Sequence, residues 1–120
     1  MPSKTLVFGA SLKPERISNK IIHRLANYGE DVFAFGLKKG TVSDVEIITD
    51  LILIEGLDTI TLYVSPPRHP EYYDYLISLN PGRIIFNPGT ENPEFYTLLK
   101  ESNIEYEVAC SMVLVATNQY

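Results

Sequence analysis

The sequence lacks most of the features that mark specialised proteins. It has one cysteine, Cys110, so no disulfide can form within the chain and a reducing compartment is expected. It is poor in bases: ten lysines and arginines face fifteen acids, a formal net charge of −5 that repels polyanions such as DNA or anionic lipid. An anion must therefore be met at a local site. Long apolar runs are missing as well, since Leu51–Ile54 and Leu62–Val64 fall far short of the ~20 residues that span a membrane. Residues 1–8 have one lysine and no apolar core of signal-peptide length, and read as a strand. These absences give the expectation of a cytoplasmic protein with no nucleic-acid and no membrane partner.

What is present is an ordinary globular composition, 45% hydrophobic over 120 residues, which predicts a single domain over 1–120 with one core. Lys4–Ala10 is an apolar run ending near a glycine, the pattern of a strand covered on both faces. Ile21, Ile22, Leu25 and Tyr28 recur at helical spacing, with Ser18 as the expected N-cap and Gly29 as the stop. Asp31–Leu37 is a second strand, completing a strand–helix–strand unit. Val45–Thr49 is a weaker strand, and Asp50–Gly56 reads equally as a helical turn or an irregular crossover.

Asp58–Val64 is the next strand, stopped by Ser65-Pro66-Pro67, and a helix is expected from about Pro70 with Tyr72, Tyr73, Leu76 and Ile77 facing the core or its rim. Arg83–Phe86 is a short strand, Asn87-Pro88-Gly89 a turn, Asn92-Pro93 a helix start, and Ile104–Ala109 a final strand. This alternation predicts an α/β, Rossmann-like three-layer sandwich with a mostly parallel central sheet. In such sheets ligands lie beyond the carboxyl ends of the strands, where strand order reverses. The segments expected there are Gly9–Ser18, Gly36–Lys39, Ser65–Arg68, Asn87–Glu91 and Cys110–Met112.

The first of these segments follows a strand and precedes a helix, the setting in which a turn offers peptide N–H groups to a phosphate. Gly9 permits close backbone approach, Ser11 and Ser18 supply hydroxyls, and Lys13 and Arg16 supply two cations against Glu15. The spacing is not G-x-G-x-x-G, because Ser11 and Pro14 stand where glycines would, and no Walker A loop occurs. After the second strand an NAD site would carry an acid, whereas Gly36-Leu37-Lys38-Lys39 carries bases that suit a phosphate on a ribose. Coenzyme A and NADP both have one, and a solvated lysine pair is the plainer alternative.

Gly9-Ala10-Ser11 with Pro14, Arg16 and Ser18, then Ser65-Pro66-Pro67, a glycine turn at Gly89 and Cys110, resembles the CoA-binding domain family over nearly the whole chain. Its members are stand-alone relatives of the Rossmann-like domain of the succinyl-CoA synthetase alpha subunit. The resemblance implies coenzyme A or an acyl-CoA across the strand ends. Gly9, Ala10, Ser11, Lys13 and Arg16 would hold the diphosphate and 3′-phosphate region, with Ser18 at the helix start. Lys38 and Lys39 would approach the adenosine, and Ser65, Pro66 and Gly89 would line the pantetheine path. The chain departs from the family at Gly36-Leu37, often Asn-Pro, at Cys110-Ser111, often Cys-Pro, and at Val113-Leu114-Val115, where acids or histidine are common.

No catalytic constellation is visible. The phosphorylated histidine and nucleotide-grasp domain of the synthetase lie outside the domain this chain resembles. His23 and His69 lack metal-ligand spacing and are expected at the surface or in caps. Cys110 reads as a small buried hydrophobe before a reactive thiol. The expected function is a non-catalytic binding protein. An NADP-dependent or other nucleotide enzyme at the same edge is the alternative, as is an interaction module with a decayed site. The apolar Met112–Ala116 tail either covers the core or makes a homo-oligomer contact.

Overall fold

The computed structural model describes residues 3–120. Its seven strands are β1 (Lys4–Ala10), β2 (Asp31–Gly36), β3 (Gly40–Val42), β4 (Val45–Ile48), β5 (Thr59–Leu62), β6 (Arg83–Phe86) and β7 (Glu105–Val108). They form one sheet in the order β3-β4-β2-β1-β5-β6-β7. Every pairing is parallel except β3 with β4. The helices are α1 (Ile17–Tyr28), α2 (Tyr73–Ser78), α3 (Pro93–Glu101) and α4 (Ser111–Ala116), with a 3-10 segment over Pro66–Tyr72 ahead of α2.

The period of two in β1 builds both cores at once. Leu6 and Phe8 point into a cluster with Phe35, Ile60, Leu62, Ile84 and Phe86 that is covered by Tyr72 of the 3-10 segment, Leu76 of α2, and Phe95 and Leu99 of α3. Val7 faces the opposite side with Ala34 and Ile47, under Ile21, Ile22 and Leu25 of α1. Met112, Val115 and Tyr120 pack on that second cluster, so the apolar tail folds as α4 and covers the core together with the last residues of the chain. Tyr28 fastens it by donating to Asn118 Oδ1 at 2.8 Å.

The local differences from the sequence reading have physical causes. Ser18 is not the N-cap of α1: Arg16 has the extended cap geometry, no side chain caps the first amides, and Ser18 lies buried in the first turn. Gly29 does stop the helix, in the left-handed region at φ 98. Lys38 and Lys39 lead into a hairpin absent from the sequence reading, whose two-residue turn puts Ser43 and Asp44 at φ 50 and 63, the signature of a type I′ turn. Residues 50–56 form an irregular crossover, with Leu53 70% exposed and Ile54 buried. The helix expected from Pro70 begins four residues earlier as the 3-10 segment, because Pro66 and Pro67 suit a first turn while Pro70 obstructs α-helical bonding.

Candidate functional site

β2 and β5 flank β1, and the chain leaves β1 toward β2 but returns beyond β1 to make β5, so strand order reverses there. At this point a cavity of about 590 Å³ opens, lined by Gly9–Lys13, Arg16 and Ser18, by Phe35–Lys38, and by Tyr63–Ser65, Arg68 and Tyr72. A second cavity of about 390 Å³ shares Arg16, Ser18 and Tyr63 with it and continues past Glu15, Ile17, Asn87, Pro88 and Cys110. A third hollow, at the amino end of β7 by Lys100, Asn103 and Glu105, opens broadly to solvent and has no polar convergence of this kind.

Of the sequence-derived residues, the main cavity brings together Gly9, Ala10, Ser11, Lys13, Arg16, Ser18, Lys38 and Ser65. Lys39, Pro66 and Gly89 line neither cavity. Lys39 is exposed on the way into β3. Pro66 opens the 3-10 segment, and the Gly89 N–H donates to Glu91 Oε1 at 2.8 Å. The residues not singled out from sequence are Arg68, Tyr63, Tyr72 and the apolar wall of Leu12, Phe35 and Leu37. Arg68 ends a segment that the sequence itself places at the strand edge, which is the available signal; Tyr63 and Tyr72 have none beyond their apolar neighbours.

The first loop is held by the protein's own contacts. The Asn19 side chain, buried in α1, donates to the Ser11 carbonyl at 2.9 Å, and the Lys13 N–H donates to Ser11 Oγ at 3.1 Å. Gly9, which lines the main cavity, is also required for packing. At φ 102 a Cβ there would lie 3.0 Å from Val64 Cγ2 and from the Tyr63 carbonyl carbon. Gly36 serves the same loop, since a Cβ would lie 2.4 Å from the Ala10 carbonyl oxygen. A strand end this close to Ala10 leaves no room for a side chain at Gly36.

Electrostatically the main cavity has one sign. Lys13, Arg16, Lys38 and Arg68 line it and no carboxylate does. These are four of the chain's ten lysines and arginines, in a protein with net charge −5. Arg68 Nη2 donates to Tyr72 Oη at 3.2 Å and its Nε lies 3.6 Å from Glu71. Between the two cavities burial pushes the Tyr63 phenol up to about 12, so it stays neutral. Its hydroxyl is buried without a hydrogen-bond partner among the described residues.

His69 is not at the surface, as expected from sequence, but 1% exposed behind the Ser65–Arg68 wall. Its Nε2 contacts the Val64 carbonyl at 2.7 Å and its Nδ1 the Asn92 amide nitrogen at 3.0 Å. A carbonyl only accepts and an amide N–H only donates, so the ring is neutral with its proton on Nε2. Burial, the dominant cause, lowers its pKa despite the Val64 bond. The unfolded chain therefore takes up this proton first, and stability falls as pH drops below about 6.5. Thermal melts should show a midpoint lower at pH 5.5 than at pH 7.5. A His69→Gln variant should lose part of that difference, and parallel curves for the two proteins would contradict the assignment.

Among the described residues no three of His, Cys, Asp and Glu gather as metal ligands, and no helix is long and apolar enough to cross a membrane. A family model described as a CoA binding domain matches residues 3–116. Among solved structures, the crystal structure of an uncharacterized protein is 38% identical, with 100% of this chain aligned to 99% of that one at a TM-score of 0.95. A conserved hypothetical protein from Pyrococcus furiosus is 23% identical over 92% of this chain and 97% of its own, with a TM-score of 0.82. The dinucleotide-forming acetyl-coenzyme A synthetase 1 of Ca. Korarchaeum cryptofilum, in complex with phosphate and ADP, shares the fold at 16% identity. That alignment covers 88% of this chain and 25% of the synthetase, with a TM-score of 0.70. No curated protein sequence matches.

Proposed function

The chain belongs to the CoA binding domain family, and we propose that it binds coenzyme A or a small acyl-CoA as a carrier or sensor, without chemistry of its own. The observation that carries this reading is the gathering of Lys13, Arg16, Lys38 and Arg68 around one cavity at the strand-order reversal of an acidic protein. A ligand with several phosphate charges matches it. Lys13, Arg16 and the uncapped start of α1 hold the diphosphate, because peptide N–H groups and the helix dipole favour an anion there. Lys38 faces the 3′-phosphate, with Leu12, Phe35 and Leu37 providing apolar surface for the adenine. The pantetheine arm runs past Ser18 and Ser65 into the second cavity, toward Asn87, Pro88 and Cys110.

A non-catalytic role fits the engagement of the polar groups nearby. His69 and Asn92 hold each other, the Asn87 amide is occupied by protein groups, and Tyr63 stays neutral. Isothermal titration with coenzyme A, acetyl-CoA, dephospho-CoA, NADP and NAD tests the reading. Coenzyme A should bind, and dephospho-CoA should bind about tenfold more weakly, the scale of one charge-assisted contact. Lys38→Ala should narrow that gap. Binding of NADP without coenzyme A would favour a nucleotide-dependent enzyme, and no binding by the whole panel would favour an interaction module.

A further inference from the structure

We propose that Arg68 reads the 3′-phosphate together with Lys38, and that Glu71 sets how strictly it does so. This rests on the coenzyme A reading above. Arg68 follows two prolines in the 3-10 segment, whose fixed φ angles limit where its backbone can go. Its guanidinium is fastened to the Tyr72 hydroxyl, and the Tyr72 ring is buried edge-on against Phe8 at 4.9 Å and Phe35 at 5.9 Å. Phe35 immediately precedes Gly36, where β2 ends, and Lys38 lies two residues further on. One aromatic stack thus anchors Arg68 to the strand end that delivers Lys38. Lys13 and Arg16 belong to the first loop instead, so the cavity carries two pairs of cations. Coenzyme A likewise carries two separate phosphate groups, a diphosphate and a 3′-monoester.

The two members of the second pair differ in what they offer. Lysine is a mobile point charge, whereas a guanidinium presents parallel N–H donors that match phosphate oxygens in pairs. Glu71 competes for the same guanidinium at 3.6 Å, and because both side chains are substantially exposed this pair is weak. An arriving phosphomonoester dianion displaces Glu71, while the hydroxyl of a dephosphorylated ligand does not. The carboxylate therefore lowers the affinity for the phosphorylated ligand, which must displace it, and leaves that for a dephosphorylated one untouched, so it tempers the preference.

Titration of coenzyme A and dephospho-CoA against the wild type, Arg68→Met and Glu71→Gln at one ionic strength tests this. Arg68→Met should weaken coenzyme A about tenfold and leave dephospho-CoA within about twofold, so that most of the preference disappears. Arg68→Lys should restore part of it. Glu71→Gln should tighten coenzyme A about twofold and leave dephospho-CoA unchanged. Equal weakening of both ligands by Arg68→Met, or no weakening, would overturn the assignment while leaving coenzyme A binding in place. Failure of the wild type to bind either ligand would overturn the underlying reading and this inference with it.

Discussion

Replacing Asn87 by alanine is expected to lower stability by about 3 kcal/mol and the melting midpoint by on the order of 10 °C. Asn87 closes β6 at 2% exposure, and its one side chain serves three groups. Nδ2 donates to Thr61 Oγ1 at 2.8 Å and to the Leu62 carbonyl at 3.0 Å, and Oδ1 accepts the Ser111 N–H at 2.9 Å. Thr61 and Ser111 share a further hydrogen bond at 2.8 Å. Truncation leaves buried partners that water does not reach, each costing about 1–3 kcal/mol before relaxation. Asn87→Asp should be as damaging, because it keeps only the acceptor for Ser111 and buries a charge. Thr61→Val should be milder, about 1–2 kcal/mol, because it removes two hydrogen bonds but leaves Asn87 Nδ2 its bond to the Leu62 carbonyl. Calorimetry finding Asn87→Ala within about 3 °C of the wild type would refute this account of what joins β5, β6 and α4.

The largest effect on ligand binding is expected from removing both cations of the first loop. Lys13→Ala with Arg16→Ala should weaken coenzyme A by about 10²- to 10⁴-fold, since each charge-assisted contact to a phosphate contributes roughly 1.5–3 kcal/mol. Both side chains are exposed and neither makes an ion pair among the described residues, so the melting midpoint should move little. The distinction between folding and binding is then direct. A loss below about tenfold would place the diphosphate elsewhere. Flattening of the salt dependence in the double variant would confirm that charge, and not loop shape, is what was removed.

The parts of the fold legible in the sequence were those in which one local signal controls the outcome. β1 is a continuous apolar run, α1 has a helical stripe closed by Gly29, and α3 begins at Asn92-Pro93, where the asparagine does cap Phe95. The hairpin was not legible: β3 has three residues, and its Ser43-Asp44 turn lacks the glycine that usually marks such a turn. The N-cap was misplaced because Ser18 is the preferred residue type, yet Arg16 holds the cap geometry. Asn87 looked like turn chemistry, and His69 like a surface group, because their partners lie between 5 and 26 residues away in the chain. The site was legible at Gly9–Ser18, where cations and hydroxyls are contiguous. For Arg68 only the segment was legible, because the place of its side chain depends on Tyr72 packing edge-on against Phe8 and Phe35, which are far from it in sequence.

The central position of β1 constrains how the protein is made. Its register partners are Asp31–Gly36 on one side and Thr59–Leu62 on the other. During synthesis this apolar segment therefore leaves the ribosome well before either neighbour, and the second side stays open until β5 has emerged. Such a segment, rich in β-branched and aromatic residues, is prone to intermolecular pairing during that interval. Slow translation between residues 36 and 59 would prolong the hazard, and binding of a nascent-chain chaperone to Thr5–Phe8 would relieve it.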